Sequence, residues 1–128
     1  MKLFEMSNKK LAVLMLRLVT GINFLMHGAV RVLGDYSGFA DGMIHNFSGT
    51  FLPSFSVRLL GFAIPVIELI IGIILITGYK LKIGLIAAFL LMATLVFGMS
   101  LLQKWDVVGT QMIYALALFL ILYFQEER

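Results

Sequence analysis

Residues 11–33 read LAVLMLRLVTGINFLMHGAVRVL. The run is long and apolar enough to cross a bilayer, which takes about 20 mostly apolar residues in a helix. Yet it carries Arg17, Asn23, His27 and Arg31. At about 100° per residue these four fall on one side of a helix with Thr20, Gly21, Phe24 and Gly28. The opposite side, Leu18, Val19, Ile22, Leu25, Met26, Ala29, Val30, Val32 and Leu33, has no polar atom beyond the backbone. A charge near mid-membrane costs about 2.5–3.5 kcal/mol on insertion scales. The split therefore predicts a polar stripe turned to protein or water, and an apolar face turned to lipid.

Composition agrees. The 128 residues are 61% hydrophobic and 13% charged, with a mean hydropathy of +1.02. A soluble domain carries about 25% charged residues, and a core this small cannot hide so much apolar surface. The chain reads as an integral membrane protein. The first run is no removable signal peptide, whose apolar region is about 7–15 residues without internal charge. There is no cysteine, which excludes disulfide exchange by the chain itself, iron–sulfur ligation and thiolate zinc sites. A formal charge of +3, scattered along the chain, does not point to nucleic acid.

Four spans are expected in one domain covering 1–128, at about 11–33, 57–78, 83–102 and 107–124, with Ser7 or Asn8 available to cap the first. The fold class is all-α, an integral membrane four-helix bundle. Between the first two spans lies GDYSGFADGMIHNFSGTFLPS, too polar to cross. Its Phe39, Met43, Ile44, Phe47 and Phe51 recur at near-helical spacing while Asp41, His45 and Asn46 face elsewhere, so it reads as a short interfacial helix stopped by Pro53. Tight turns at 78–82 and 103–106 join the other spans.

Lysine and arginine set the expected orientation. Lys2, Lys9, Lys10, Lys80, Lys82 and Arg128 fall on one side, and Lys104, Arg31 and Arg58 on the other. This bias places both termini in the cytoplasm of a bacterial-type inner (plasma) membrane, with residues 34–56 outside.

Glu68 stands near the middle of the second span. Arg17 and His27 lie about 7 Å to either side of the midpoint of the first, and either can reach it. An unpaired carboxylate there would protonate. The preferred pairing is a buried ion pair, Arg17 with Glu68, and His27 is the next candidate. Gly61, Pro65, Glu68 and Gly72 share a face suited to close approach by the first span. On the fourth span, Tyr114 is near the midpoint and Gln111 is level with His27. Two accounts stay open. The pair is an assembly staple, or it belongs to a ligand-binding cavity walled by His27, Arg31, Glu68, Gln111 and Tyr114 between the first, second and fourth spans, covered by the interfacial helix. In the second account neither His27 nor Arg31 is needed for folding. No metal site is expected, since His27 has only His45, in the loop, as a possible histidine partner. No nucleophile triad or phosphate loop identifies a catalytic residue.

These patterns resemble the DoxX family of small four-helix membrane proteins. Arg17, Phe24, His27-Gly28 and Arg31 are similar to its first motif, with Arg31 where lysine is usual. Pro65, Glu68, Gly72, Leu75 and Gly78 are similar to its second. The resemblance covers essentially the whole chain and implies the fold more than a function. One branch is similar to a subunit of thiosulfate:quinone oxidoreductase, and others accompany thiol-redox proteins.

Two functional readings follow, with a purely structural subunit as a third. The first is an accessory or binding subunit of a membrane redox system. It presents its pocket to a quinone or a small anion while a redox partner protein supplies the redox centres, with no cofactor intrinsic to the chain. The second is a transport component for a small solute or proton. Contact with the lipid bilayer is expected in all of them, and a homo-oligomer is compatible with each. The orientation makes a direct prediction: single cysteines replacing Ser7 and Ser48 label from opposite sides of intact cells, and labelling of both from outside would overturn it.

Overall fold

Ser7 starts the first long helix, its side-chain oxygen accepting the backbone N–H of Lys10 at 3.2 Å. The span therefore begins a turn earlier than the apolar run, and takes in Lys9 and Lys10. In the computed structural model, which describes residues 2–125, the elements are α1 (Lys2–Glu5), α2 (Asn8–Leu33), α3 (Tyr36–Asn46), α4 (Ser54–Thr77), α5 (Leu81–Leu101) and α6 (Trp105–Phe124). Arg128, part of the charge tally, lies outside the described residues. Four helices, α2, α4, α5 and α6, are long and apolar enough to cross a membrane. The protein is a four-helix membrane bundle, as the sequence predicts.

The four pack as a ring, α2 on α4, α4 on α5, α5 on α6 and α6 back on α2, with α3 laid across α4. Short turns make successive spans antiparallel. Gly78 ends α4 in the left-handed region at φ 77°, and Lys80 and Gln103 hold positive φ in the two tight turns. Lys9 stands over the Phe124 ring, 5.7 Å from its centroid, so the start of α2 and the end of α6 share one end of the bundle. Arg31, Arg58 and Lys104 gather at the other.

Pro53 plays a different part from the one expected. It caps α4 at its N-terminus with extended backbone, a place where a missing N–H costs nothing. The interfacial helix stops earlier, at Asn46, and Phe51 lies beyond it as an exposed side chain. Asp35 caps that helix by accepting the N–H of Gly38. Three contacts pin α3 to α4. The Tyr36 hydroxyl donates to the Phe62 carbonyl, three residues before Pro65. Ala40, fully buried, packs on Gly61. Arg58 meets Asp41 at 3.2 Å. Phe47 then reaches α5, where its ring abuts Gly98.

The apolar side of α2 faces outward at Val19, Ile22, Met26, Val30 and Leu33. Leu25 is an exception to the predicted lipid face, because Gly72 presses on its backbone. Gly21 against Leu75 and Ile76, Leu25 against Gly72, and Gly28 against Pro65 and Leu69 form a continuous seam between α2 and α4. Such small-residue contacts let backbones approach where no hydrophobic force drives helices together. Gly61 is not part of this seam, since α2 has ended at its level and α3 takes its place.

A methyl group on Gly72 would sit 2.5 Å from the Leu25 nitrogen, whereas one on Gly109 meets nothing within 4 Å. Gly72→Ala is therefore expected to destabilise the bundle by about 1–3 kcal/mol. Gly109→Ala is expected to gain about 0.5–1 kcal/mol from lost chain entropy. Thermal unfolding of the two variants in one detergent checks both signs.

Candidate functional site

The seam sets the register of α2 on α4, and the register decides what Glu68 meets. Gly28 stands against Pro65 and Leu69, so Glu68 lies between the levels of Leu25 and Gly28. One turn further along α2, Arg31 bends back to it. Arg31 Nη1 donates to Glu68 Oε1 at 2.9 Å, with the glutamate side chain 6% exposed and the arginine 33%.

The predicted pairing of Arg17 with Glu68 is thus replaced by Arg31 with Glu68. Arg17 sits against Gly78 at the far end of the bundle, ten residues along α4 from Glu68, or about 15 Å. Midpoint matching misplaced it. The first nine residues of α4, 54–62, project past the end of α2 and are covered by α3, so the two midpoints are not level.

Arg31 is held from a second direction. Its guanidinium lies over the Phe39 ring of α3, 4.3 Å from the centroid, a cation–π contact. Glu68 thus engages one N–H of the guanidinium, and the Phe39 ring covers its face.

Beside this pair is a cavity of about 360 Å³, within the range of small-molecule sites. All five predicted site residues line it: His27 and Arg31 from α2, Glu68 from α4, Gln111 and Tyr114 from α6. It is not confined to those three helices. Phe39 and Met43 of α3 roof it, and Met92, Leu95 and Met99 of α5 form an apolar wall.

The sequence reading missed four polar residues there, Asn23, Asn46, Lys104 and Thr110. Asn23 was already on the stripe. Lys104 was legible from topology, because a residue starting α6 must stand level with the end of α2. Asn46, expected to face away, ends α3 at the rim of the cavity. Asp41 and His45 are exposed and do not line it.

Hydrogen bonding gives each group a sense. His27 Nδ1 is 2.7 Å from the Asn23 carbonyl oxygen. A carbonyl only accepts, so Nδ1 donates and, in the neutral ring, Nε2 is left as an acceptor. Gln111 is 8% exposed, and its Oε1 has no hydrogen-bond partner among the described residues. An orphaned buried acceptor costs about 1–3 kcal/mol. The site thus combines donors (Arg31, Lys104, Tyr114) with acceptors (His27 Nε2, Gln111 Oε1) around an apolar wall.

The ion pair also makes Arg31 structural, against the expectation that it is dispensable for folding. Arg31→Met strands a buried carboxylate and is expected to cost about 3–5 kcal/mol, while Arg31→Met combined with Glu68→Leu removes both charges and recovers most of that loss. Arg17→Met combined with Glu68→Leu should show no such recovery. Unfolding midpoints of the singles and doubles in detergent decide which arginine couples to Glu68.

No curated protein and no solved structure matches the chain significantly. The family match obtained is not to DoxX, although both families are of the same general multi-pass membrane kind. It spans residues 9–110, from the first turn of α2 into the first turns of α6, and thus takes in Asn23, His27, Arg31, Glu68 and Lys104. On that evidence the chain belongs to the family described as methylamine utilisation protein MauE.

Proposed function

We propose that this protein is a small accessory subunit of a membrane redox system, and that the cavity beneath α3 holds the head group of a quinone. The observation that carries the reading is the buried polar set facing one cavity in a membrane-spanning segment: the Arg31–Glu68 pair beside His27 and the unpartnered Gln111 oxygen. Buried polar groups in a span mark functional sites by default.

The family description adds a chemical context. Using an amine as a growth substrate means oxidising it, and the electrons released need an acceptor. The chain has no cysteine, so any thiol or thiolate-bound centre would come from a partner protein. A quinone ring needs donors for its carbonyls, which Arg31, Tyr114 and Lys104 supply. The reduced ring carries hydroxyls that also donate, and His27 Nε2 and Gln111 Oε1 can accept them. Arg31 and Lys104 against Glu68 leave the site cationic, which also suits a small anion. With the lysine-rich end of the bundle in the cytoplasm, the cavity lies in the outer half of the membrane. The α3 roof, pinned by Tyr36, Ala40 and Asp41, favours a held ligand over a solute in passage.

Titration of the purified protein in nanodiscs with a tail-less hydroquinone, kept reduced under anaerobic conditions and read by the change in Trp105 fluorescence, tests the proposal. Binding is expected to weaken about 5- to 100-fold in Gln111→Leu, from loss of one buried hydrogen bond, and by a similar factor in His27→Phe. Both variants should remain monodisperse. Wild-type protein that does not bind the ring, or variants that bind it unchanged, would remove the quinone from this cavity.

A further inference from the structure

A separate cavity, of about 600 Å³, opens at the lysine-rich end of the bundle, a volume again typical of small-molecule sites. Three cations from three places in the chain line it: Arg17 of α2, Lys80 of the turn after α4, and Lys82 of the first turn of α5. Gly78 makes room for the first. A Cβ there would stand 3.2 Å from Cζ and from both terminal nitrogens of Arg17, so the flat of the guanidinium lies on the glycine. Lys80 holds its ammonium over the Tyr79 ring, 5.7 Å from the centroid. The start of α5 has no side-chain cap and adds the partial positive charge of a helix N-terminus. Among the described residues no carboxylate lines the cavity. Gln125 also lines it, and its Oε1 is buried with no hydrogen-bond partner among those residues.

The rest of the lining points to the kind of anion. Ile83 and Leu122 line the cavity and are exposed on spanning helices, where the surrounding medium is lipid. Tyr79 and Tyr123, also exposed, stand with them, as aromatic rings do at a membrane boundary. A soluble anion gains nothing from such apolar side chains, whereas a lipid phosphate arrives with its acyl chains on that side. We propose that this cavity binds the headgroup of an anionic phospholipid, with its phosphate among Arg17, Lys80 and Lys82 and its chains along Ile83 and Leu122. The planar fork of arginine suits phosphate oxygens, and basic pockets between spans take such headgroups. Gln125 Oε1 can accept a headgroup hydroxyl, which favours glycerol over choline. No residue lines both this cavity and the polar one, so the site stands apart from the quinone reading.

Native mass spectrometry of the purified protein tests this, titrating dioleoylphosphatidylglycerol against dioleoylphosphatidylcholine, which has the same chains and a zwitterionic headgroup. Each basic residue near an anionic headgroup is worth about fivefold in affinity. Wild type is expected to bind the first anionic lipid about tenfold or more tighter than the zwitterionic one. Lys80→Gln combined with Lys82→Gln should cut that preference about fivefold or more. Lys9→Gln combined with Lys10→Gln removes as much charge from the same end but outside this cavity, and should leave the preference within about twofold. All four lysines are exposed, so neither pair puts folding at stake. An equal loss from both pairs would mean a diffuse positive end, and no preference in wild type would mean no lipid site; either overturns the proposal. A soluble anion is the remaining occupant. Sodium phosphate that stabilises the protein in detergent beyond sodium chloride of equal ionic strength, with no lipid preference, would assign the cavity to it and overturn the proposal as well.

Discussion

A carboxylate and a guanidinium held 2.9 Å apart inside an apolar bundle are the constraint on which the structure turns. Neither Glu68 nor Arg31 can face lipid alone at tolerable cost, so α2 and α4 must meet with these two side chains inward. Each charge ties in a further element. Glu68 brings in α4, and Arg31 carries on its face the Phe39 ring of α3. The short interfacial helix is therefore held over the pair by the pair itself, as well as by its own contacts to α4.

The two sides of α2 show how close packing and open space are divided. Toward α4, Gly21 and Gly28 on one helix and Gly72 on the other let the backbones touch, and nothing larger than a hydrogen fits between them. Toward α6 the facing residues are Asn23, His27, Gln111 and Tyr114, with no glycine among them. These side chains are too bulky and too polar to interdigitate tightly, and they hold a cavity open instead. The same helix thus serves as a rigid rail on one face and as a binding wall on the other. Rigidity on the first face is what gives the second a defined geometry.

That division changes how the polar stripe is understood. On a helical wheel, Gly21, Phe24, His27 and Arg31 look like members of one surface. In the folded protein they serve different neighbours: the glycines receive α4, Phe24 joins the core, and His27 with Arg31 meets the cavity. The tautomer of His27 is likewise a product of its surroundings. Its Nδ1 is engaged by a carbonyl one turn back on its own helix, which leaves the other nitrogen to accept.

Several features needed nothing but the chain. Its apolar length and sparse charge demand four spans in lipid, because the backbone of each run can satisfy its own hydrogen bonds only as a helix. The period of the polar residues puts His27 and Arg31 on one inward face, depth along the spans picks out Glu68, Gln111 and Tyr114, and all five do line one cavity. What periodicity cannot carry is the sliding of one helix along another. Arg17 and Arg31 are equally inward on the wheel, and only the axial register decides between them for Glu68. That register comes from where glycines allow contact, and from the length of α4 that α3 covers. The contributions of Lys104, Asn46 and the α5 wall come from the same source. They are neighbours in space only after four antiparallel helices have closed into a ring, because side chains far apart in sequence meet there at one depth.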